Sequence, residues 1–415
     1  MLQRDIHAVI EQAARHSYAQ LLSFVAARAD GDVMGAEDAL GEAFLAALRQ
    51  WPDEGVPAKP EAWLLATARR RLVDSQRRSV VRFRAMNDLQ QAFATAEAAA
   101  DADGEFPDER LGLLFVCAHP AIDPAARTPL MLQTVLGIES KRIASAFLTS
   151  PASMSQRLVR AKTKIHEAGI PFSVPPRDEW PDRVGFVLDA IYTAFSTGWE
   201  NAHSEASGTG GLAKEALWLA QVLVHLLPDE PEALGLLALL LHCQARRSAR
   251  HDAAGRYVPL PEQDTARWDK ALMEQAEALL TTAARSGTTG RFQLEAAIQS
   301  VHAQRAQTGA THWEAIALLY EALIQHTPAL GAQIGRAVAL AHTRGPSWCL
   351  DALDAMPQSL LKNHQPYWAT RAQLLADLRR PAEAHAAYAQ AIGLCDDPAI
   401  RQFLAERSRR VDGGP

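Results

Sequence analysis

Apolar residues recur at three- and four-residue spacing along nearly the whole chain, and strand-like alternation is missing, so the pattern predicts an all-α protein. The first stretch reads as three helices. His7 to Ala29 carries an apolar face (Val9, Ile10, Ala13, Ala14, Leu21, Phe24, Val25), and Asp30-Gly31-Asp32 breaks it. Ala36 to Trp51 is the second helix, followed by a Pro- and Gly-bearing loop from Pro52 to Pro60. Pro60-Glu61 opens the third: proline suits a first helical turn, and a carboxylate complements the positive end of the helix dipole. That helix turns Trp63, Leu64, Leu65, Ala68, Leu72 and Val73 inward and leaves its arginines outside.

An acidic, small-residue tract from Thr95 to Arg110 reads as a flexible spacer. Beyond it, Asp108 to Cys117 and Thr128 to Leu136 are apolar helices. Glu139 to Phe147 is a short helix, Thr149-Ser150-Pro151 a turn, and Ser153 to His166 another helix. Pro171, Pro175, Pro176 and Pro181 mark a boundary. The remainder reads as a helical array with proline-bearing turns. Near its end Trp368, Ala372, Leu375, Ala384, Tyr388 and Ala391 have the spacing of a tetratricopeptide unit, in which small residues let antiparallel helices approach and large ones fill the groove. Arg371-Ala372 stands where that repeat has Leu-Gly. The expected domains are 5–84, a linker at 85–107, 108–170, and a tail at 182–410.

Composition narrows the classes. With 48% hydrophobic and 22% charged residues the chain is that of an ordinary globular protein. Its net charge is -6, so any nucleic-acid binding must come from local patches. The four cysteines, Cys117, Cys243, Cys349 and Cys395, form no CxxC pair and fit core positions in a reducing cytoplasm. Met1-Leu2-Gln3-Arg4-Asp5 leads straight into mixed polar sequence, so no secretory leader is expected. The longest apolar run, Leu234 to Leu241, is far short of the roughly 20 residues of a membrane span. Scattered histidines, with no HExxH, Walker or GxGxxG pattern, give no basis for an enzyme, a metal site or a cofactor.

Two basic stretches break the acidic background. Arg69, Arg70, Arg71, Arg77 and Arg78 crowd one helix, interrupted by Asp74; like charges so close repel unless phosphates or carboxylates lie nearby. In the second, Ile143, Phe147, Leu158 and Ile165 can pack inward and Ala144 is small where two helices would cross. Ser153, Gln156, Arg157 and Arg160 then lie on the first exposed turns of the second helix. A helix start of this composition can enter a major groove and read base edges. Lys162 and Lys164 would sit over phosphates. The bland alternative is an amphipathic helix with a solvated basic face.

The segment from Ala36 through Trp51, followed by Pro60-Glu-Ala-Trp-Leu-Leu-Ala-Thr-Ala-Arg-Arg-Arg-Leu-Val-Asp74, resembles region 2 of extracytoplasmic-function (group IV) sigma-70 factors. Residues 108–166 resemble region 4. The tail resembles that of the subgroup with a long tetratricopeptide-like extension, in the stretches Asp229–Leu241, Gln263–Asp269 and Phe292–His302. Gly41 departs from the family's frequent Gln, and residues 329–335 from its usual Asn-bearing stretch. The resemblance implies a cytoplasmic, non-catalytic subunit of bacterial RNA polymerase without a cofactor. Asp38, Glu42 and Leu45 would bind polymerase core. Arg69, Arg70, Arg71, Asp74, Arg77 and Arg78 would engage the −10 element of promoter DNA. Ser153, Gln156, Arg157, Arg160, Lys162 and Lys164 would read the −35 element. The tail would act by intramolecular contact or through a protein partner. The rival reading is a helix-turn-helix repressor or activator with a tetratricopeptide-like domain, working without polymerase.

Overall fold

The computed structural model describes residues 2–29, 31–78, 109–147, 149–200, 211–357 and 361–411. They are helical throughout apart from turns, short 3-10 segments and an isolated bridge between His251 and Tyr257. The fold is all-α. The expected spacer at 85–107 lies outside the described residues. The chain separates into two compact units, residues 1–219 and 220–415.

In the first unit, α1 (Leu2–His16) and α2 (Tyr18–Ala27) replace the one helix expected over His7 to Ala29. Ser17, at the break, keeps helical dihedrals and donates through its hydroxyl to Glu61 at 3.2 Å. Helix α3 (Val33–Glu54) starts on the Asp32 carboxylate, which accepts from the Gly35 N–H at 2.9 Å, and runs through Pro52 to end at Gly55. Proline in that last turn removes an N–H, and Gly55 donates to the Trp51 carbonyl to close the helix. The expected loop therefore begins later than Pro52. Helix α4 (Pro60–Arg78) opens at the expected proline. Ala36, Ala39, Ala43, Ala46 and Ala47 line the buried side of α3, and Leu64, Leu65, Ala68 and Leu72 that of α4; short side chains let the two axes approach. Trp51 and Trp63 meet edge to face at 5.4 Å, so Trp63 is half core.

Beyond residue 109 come α5 (Arg110–Cys117), α6 (Pro124–Thr134), α7 (Ser140–Ala146) and α8 (Pro151–Glu167). Helix α9 (Pro181–Glu200) packs on α5 and α6, with the Arg127 guanidinium 4.5 Å over the Phe186 ring. Helix α10 follows (Leu212–Leu226). The middle of α2 and the C-terminal part of α5 are buried on every side: Leu21 to Ala26 and Leu113 to Cys117 are at most 2% exposed.

The second unit continues with α11 (Pro231–Ala245), α12 (Lys270–Ala284), α13 (Arg291–Ala303), the short α14 (Arg305–Thr308), α15 (Trp313–His326) and α16 (Leu330–Arg344). It ends with α17 (Pro346–Asp354), α18 (Gln365–Asp377), α19 (Pro381–Gly393) and α20 (Pro398–Arg410). Ala372, Leu375, Ala384, Tyr388 and Ala391, singled out by their spacing, share one core cluster with Trp368 against it.

The tail stretches form structural knots. The Glu232 carboxylate accepts from the N–H groups of Phe292 (2.9 Å) and Gln293 (3.1 Å), capping α13 from α11. Gly235 lets the two helices approach: a Cβ there would lie 2.6 Å from the Gln293 nitrogen. Trp268 is buried, donates to Gln263 Oε1 at 3.3 Å, and has the Arg305 guanidinium 5.1 Å over its ring. Arg305 also donates to the carbonyls of Leu260 and Gln263 at 3.0 and 2.9 Å, and Asp269 caps α12 through the Leu272 N–H.

Candidate nucleic-acid interface

Asp38 and Glu42 are exposed on α3, and Leu45 is 52% exposed. They lie at three- and four-residue intervals, so they form one stripe, and the exposed apolar side chains of Met34 and Leu48 extend it. Helix α4 presents Arg70 and Arg71 to solvent with Arg69 half-buried beside them. Arg71 Nε lies 3.2 Å from Glu42 Oε2, so the acidic stripe and the basic one adjoin. Asp74, Arg77 and Arg78 fall in the last turns of α4, but their side chains lie outside the described residues.

The second basic stretch is a helix, a short turn and a helix. Ser150 caps α8: its hydroxyl accepts from the Ser153 N–H at 3.2 Å and sits 2.8 Å from the Ser153 hydroxyl. Pro151 follows at the first helical position. Ile143, Ala144, Leu158 and Ile165 are buried as their spacing predicts, and Met154 joins them. Phe147 differs. It follows the last residue of α7 and is 37% exposed, because the chain has left the helix by then and the inward periodicity no longer applies. Ser153, Gln156, Arg160 and Lys164 are exposed on α8. Arg157 is half-buried and donates to the Ala125 carbonyl at 3.4 Å, leaning on the start of α6.

Lys162 does not join this face. It is 7% exposed, and its ammonium donates to both carboxylate oxygens of Glu37 at 2.6 and 2.7 Å. The expected position over phosphates is corrected for this arrangement: a desolvated ammonium needs a charge-compensating acceptor, and α3 provides one. Around this pair, Thr163 Oγ1 lies 3.7 Å from Met34 Sδ and His166 Nδ1 3.8 Å from Asp32 Oδ1. Arg28, at the end of α2, lies 3.4 Å from Glu109, with its guanidinium 3.5 Å over the Phe24 ring. Neither Glu37 nor Arg28 stood out in the sequence, and Glu109 read only as part of the acidic tract, since ion pairs across 125 and 81 residues leave no local trace.

Burial raises all four thiols, Cys117 to about 12 and Cys349 to about 11, which is the setting of inert core residues. Among the described residues no cluster of three or more His, Cys, Asp or Glu is grouped to hold a metal, and no helix is long and apolar enough to cross a membrane. In the second unit a cleft of about 500 Å³ is lined by Val338, His342, Gln373, Asp377, Phe403 and Arg407, among others. Its size falls in the range of ligand-binding clefts.

Residues 15–80, spanning α2 to α4 and the end of α1, match sigma-70 region 2, which supports membership of the sigma-70 family and a role in transcription initiation. Residues 183–284 match a family of unknown function, DUF6596. The chain is 36% identical over 375 residues to an uncharacterized protein of Rhizobium meliloti (strain 1021), covering 89% of this chain and 88% of the relative, and the two belong to one family. No solved structure matches it.

Proposed function

We propose that the protein is a sigma factor of the extracytoplasmic-function type that carries RNA polymerase core to promoters, with region 4 at 108–170 and a fused helical-repeat regulator behind it. The observation that carries this reading is the surface of the region 2 module: an acidic and apolar stripe on α3 (Asp38, Glu42, Leu45) adjoins exposed arginines on α4. A protein surface mixing carboxylates and exposed leucine suits a protein partner, here polymerase core. Arginines on the neighbouring helix suit phosphates and unpaired bases of the −10 element.

The helix-turn-helix of α7 and α8 would read the −35 element with Ser153, Gln156, Arg157 and Arg160, while Lys164 would hold phosphate. An acidic chain stays off random DNA until docking on core presents both basic surfaces together. The tail would regulate this, with the cleft between α16, α18 and α20 as the place for a partner. The polymerase supplies the chemistry, and the place of action is the cytoplasm.

Run-off transcription from genomic DNA with bacterial core plus the full chain, with mapped 5′ ends, tests the proposal. New start sites sharing two upstream elements are expected. Tight operator binding by the protein alone, with no new starts, would instead identify a polymerase-independent regulator.

A further inference from the structure

The cleft of the second unit lies where α16, α18 and α20 present side chains to one space of about 500 Å³. Its floor is apolar: Leu374, Leu404 and Tyr388 line it and are buried. Val338, Ala341 and Phe403 are half-buried walls. The segment 257–262 bounds another side and is held there at several points. The Tyr257 ring meets Phe403 edge to face at 5.5 Å, and Glu262 pairs with Arg407. Arg305 donates to the carbonyls of Leu260, Pro261 and Gln263. Pro259 and Pro261 therefore line the cleft, and proline offers no N–H to an incoming strand. The space that remains suits a compact molecule better than an extended chain.

The charges that line the cleft do not balance. Arg407 is already paired with Glu262. Asp377 is exposed, and among the described residues its hydrogen-bond partner is the neutral Gln373 amide, which donates from Nε2 at 2.8 Å. Gln373 is held in turn by the buried Tyr388, whose hydroxyl donates to Gln373 Oε1 at 3.2 Å. This chain from floor to rim fixes the Asp377 carboxylate without cancelling its charge. His342 on α16 does not cancel it either. Burial lowers the His342 pKa against the pull of Asp377, so the imidazole is neutral at pH 7. The ring lies flat on Trp313, with 3.7 Å between centroids. An apolar hollow with one fixed, uncompensated carboxylate at its edge is complementary to a molecule with an apolar body and a cationic end.

We propose that this cleft binds a small organic amine. Its apolar body lies on Leu374, Leu404 and Phe403, and its ammonium donates to the Asp377 carboxylate. This names the chemical class of the tail's partner. The role of the amine as a signal rests on the sigma reading above, while its binding does not.

Titration of the full-length chain with dansylcadaverine, an apolar ring system on a chain ending in an ammonium, tests it through the dansyl emission. Two analogues keep the dansyl group and change the end: N-acetyl dansylcadaverine is neutral, and dansyl aminocaproate ends in a carboxylate. The amine should bind about fivefold more tightly than the neutral analogue, the upper end for an ion pair open to solvent, and the carboxylate should bind more weakly than either. Raised salt should narrow the gap. Asp377→Asn removes the charge and keeps an acceptor for Gln373, so the amine should fall to the affinity of the neutral analogue. Ala341→Phe fills the cleft from its wall and should lose both ligands with an unchanged thermal midpoint. If that variant does not fold, Asp377→Asn decides alone, since its position is exposed. The proposal is overturned if the three ligands bind alike, or if the carboxylate binds best. It is overturned equally if the preference for the amine survives in Asp377→Asn, or if a folded Ala341→Phe binds normally. A capped apolar peptide with one lysine that binds more tightly than dansylcadaverine and displaces it would make the occupant a protein segment, and would overturn it too. Amine binding as described, with no promoter-dependent starts in run-off transcription, would instead sink the sigma reading and leave the site standing.

Discussion

The two units use their notable residues in opposite ways. In the first, polar and charged residues that stand out in the sequence largely face solvent: Asp38 and Glu42 on α3, Arg70 and Arg71 on α4, Gln156 and Arg160 on α8. In the second, the conspicuous stretches are consumed by the fold. Glu232 caps a neighbouring helix, Trp268 is sandwiched in the core, and Arg305 gathers loop carbonyls. A charged residue with no use inside its own unit points outward to a partner; one whose donors or acceptors are already satisfied points to architecture.

The contrast can be broken most forcefully at Gly235. Gly235→Val puts a side chain against the backbone of Gln293, which cannot move away without tilting α13. We expect a loss of about 3 kcal/mol in the second unit, read as a lowered thermal midpoint. DNA binding by the basic helices should not change per folded molecule. Equal stability of the variant would show that the two helices are not held as tightly as described.

The second test is acid. Burial and the nearby Arg246 lower His242 to about 4, and its ring nitrogens have no hydrogen-bond partner. Glu277 lies 3.4 Å from Nε2, but the burial of the ring outweighs that half-exposed carboxylate. The unfolded chain takes up a proton near pH 6.5 and the folded one only near 4. The stabilisation is therefore complete above 6.5 and falls away as pH drops toward 4, by about 3 kcal/mol. Urea titrations across that window should lose this slope in His242→Leu.

Smaller effects belong to the first unit. Arg157→Ala should reduce initiation from promoters that need the upstream element by about tenfold, with stability altered by less than about 0.5 kcal/mol. Unchanged initiation with a large drop in stability would assign Arg157 to the fold through its contact with Ala125. Arg71→Ala removes an ion pair whose partners are both about half exposed, so stability should move by no more than about 0.5 kcal/mol. Any effect on open-complex formation would then be functional.

Much of this protein was legible as pattern. Helical periodicity gave α3, α4 and α8 within a few residues, because each has an inward apolar row and a proline or acidic cap near its start. The same pattern failed where a side chain passed the end of a helix, as at Phe147, and where a near-continuous helix broke at Ser17. The exposed positions Gln156 and Arg160 followed from their place opposite the apolar row, whereas Asp38, Glu42 and Leu45 came only from the family resemblance. Lys162 sits in a basic run and reads as one more surface cation, yet it is buried.

The sequence alone determined the helices, their inward faces and the location of clustered charge, since these depend on residues three or four apart. Only the tertiary structure decided which charges remain available. Whether a lysine meets water, phosphate or a glutamate depends on elements far away in the chain, and burial makes an unpaired ammonium too costly to leave alone. Here the folding of α8 onto α3 brings together Lys162 and Glu37, two residues with no local relation to each other.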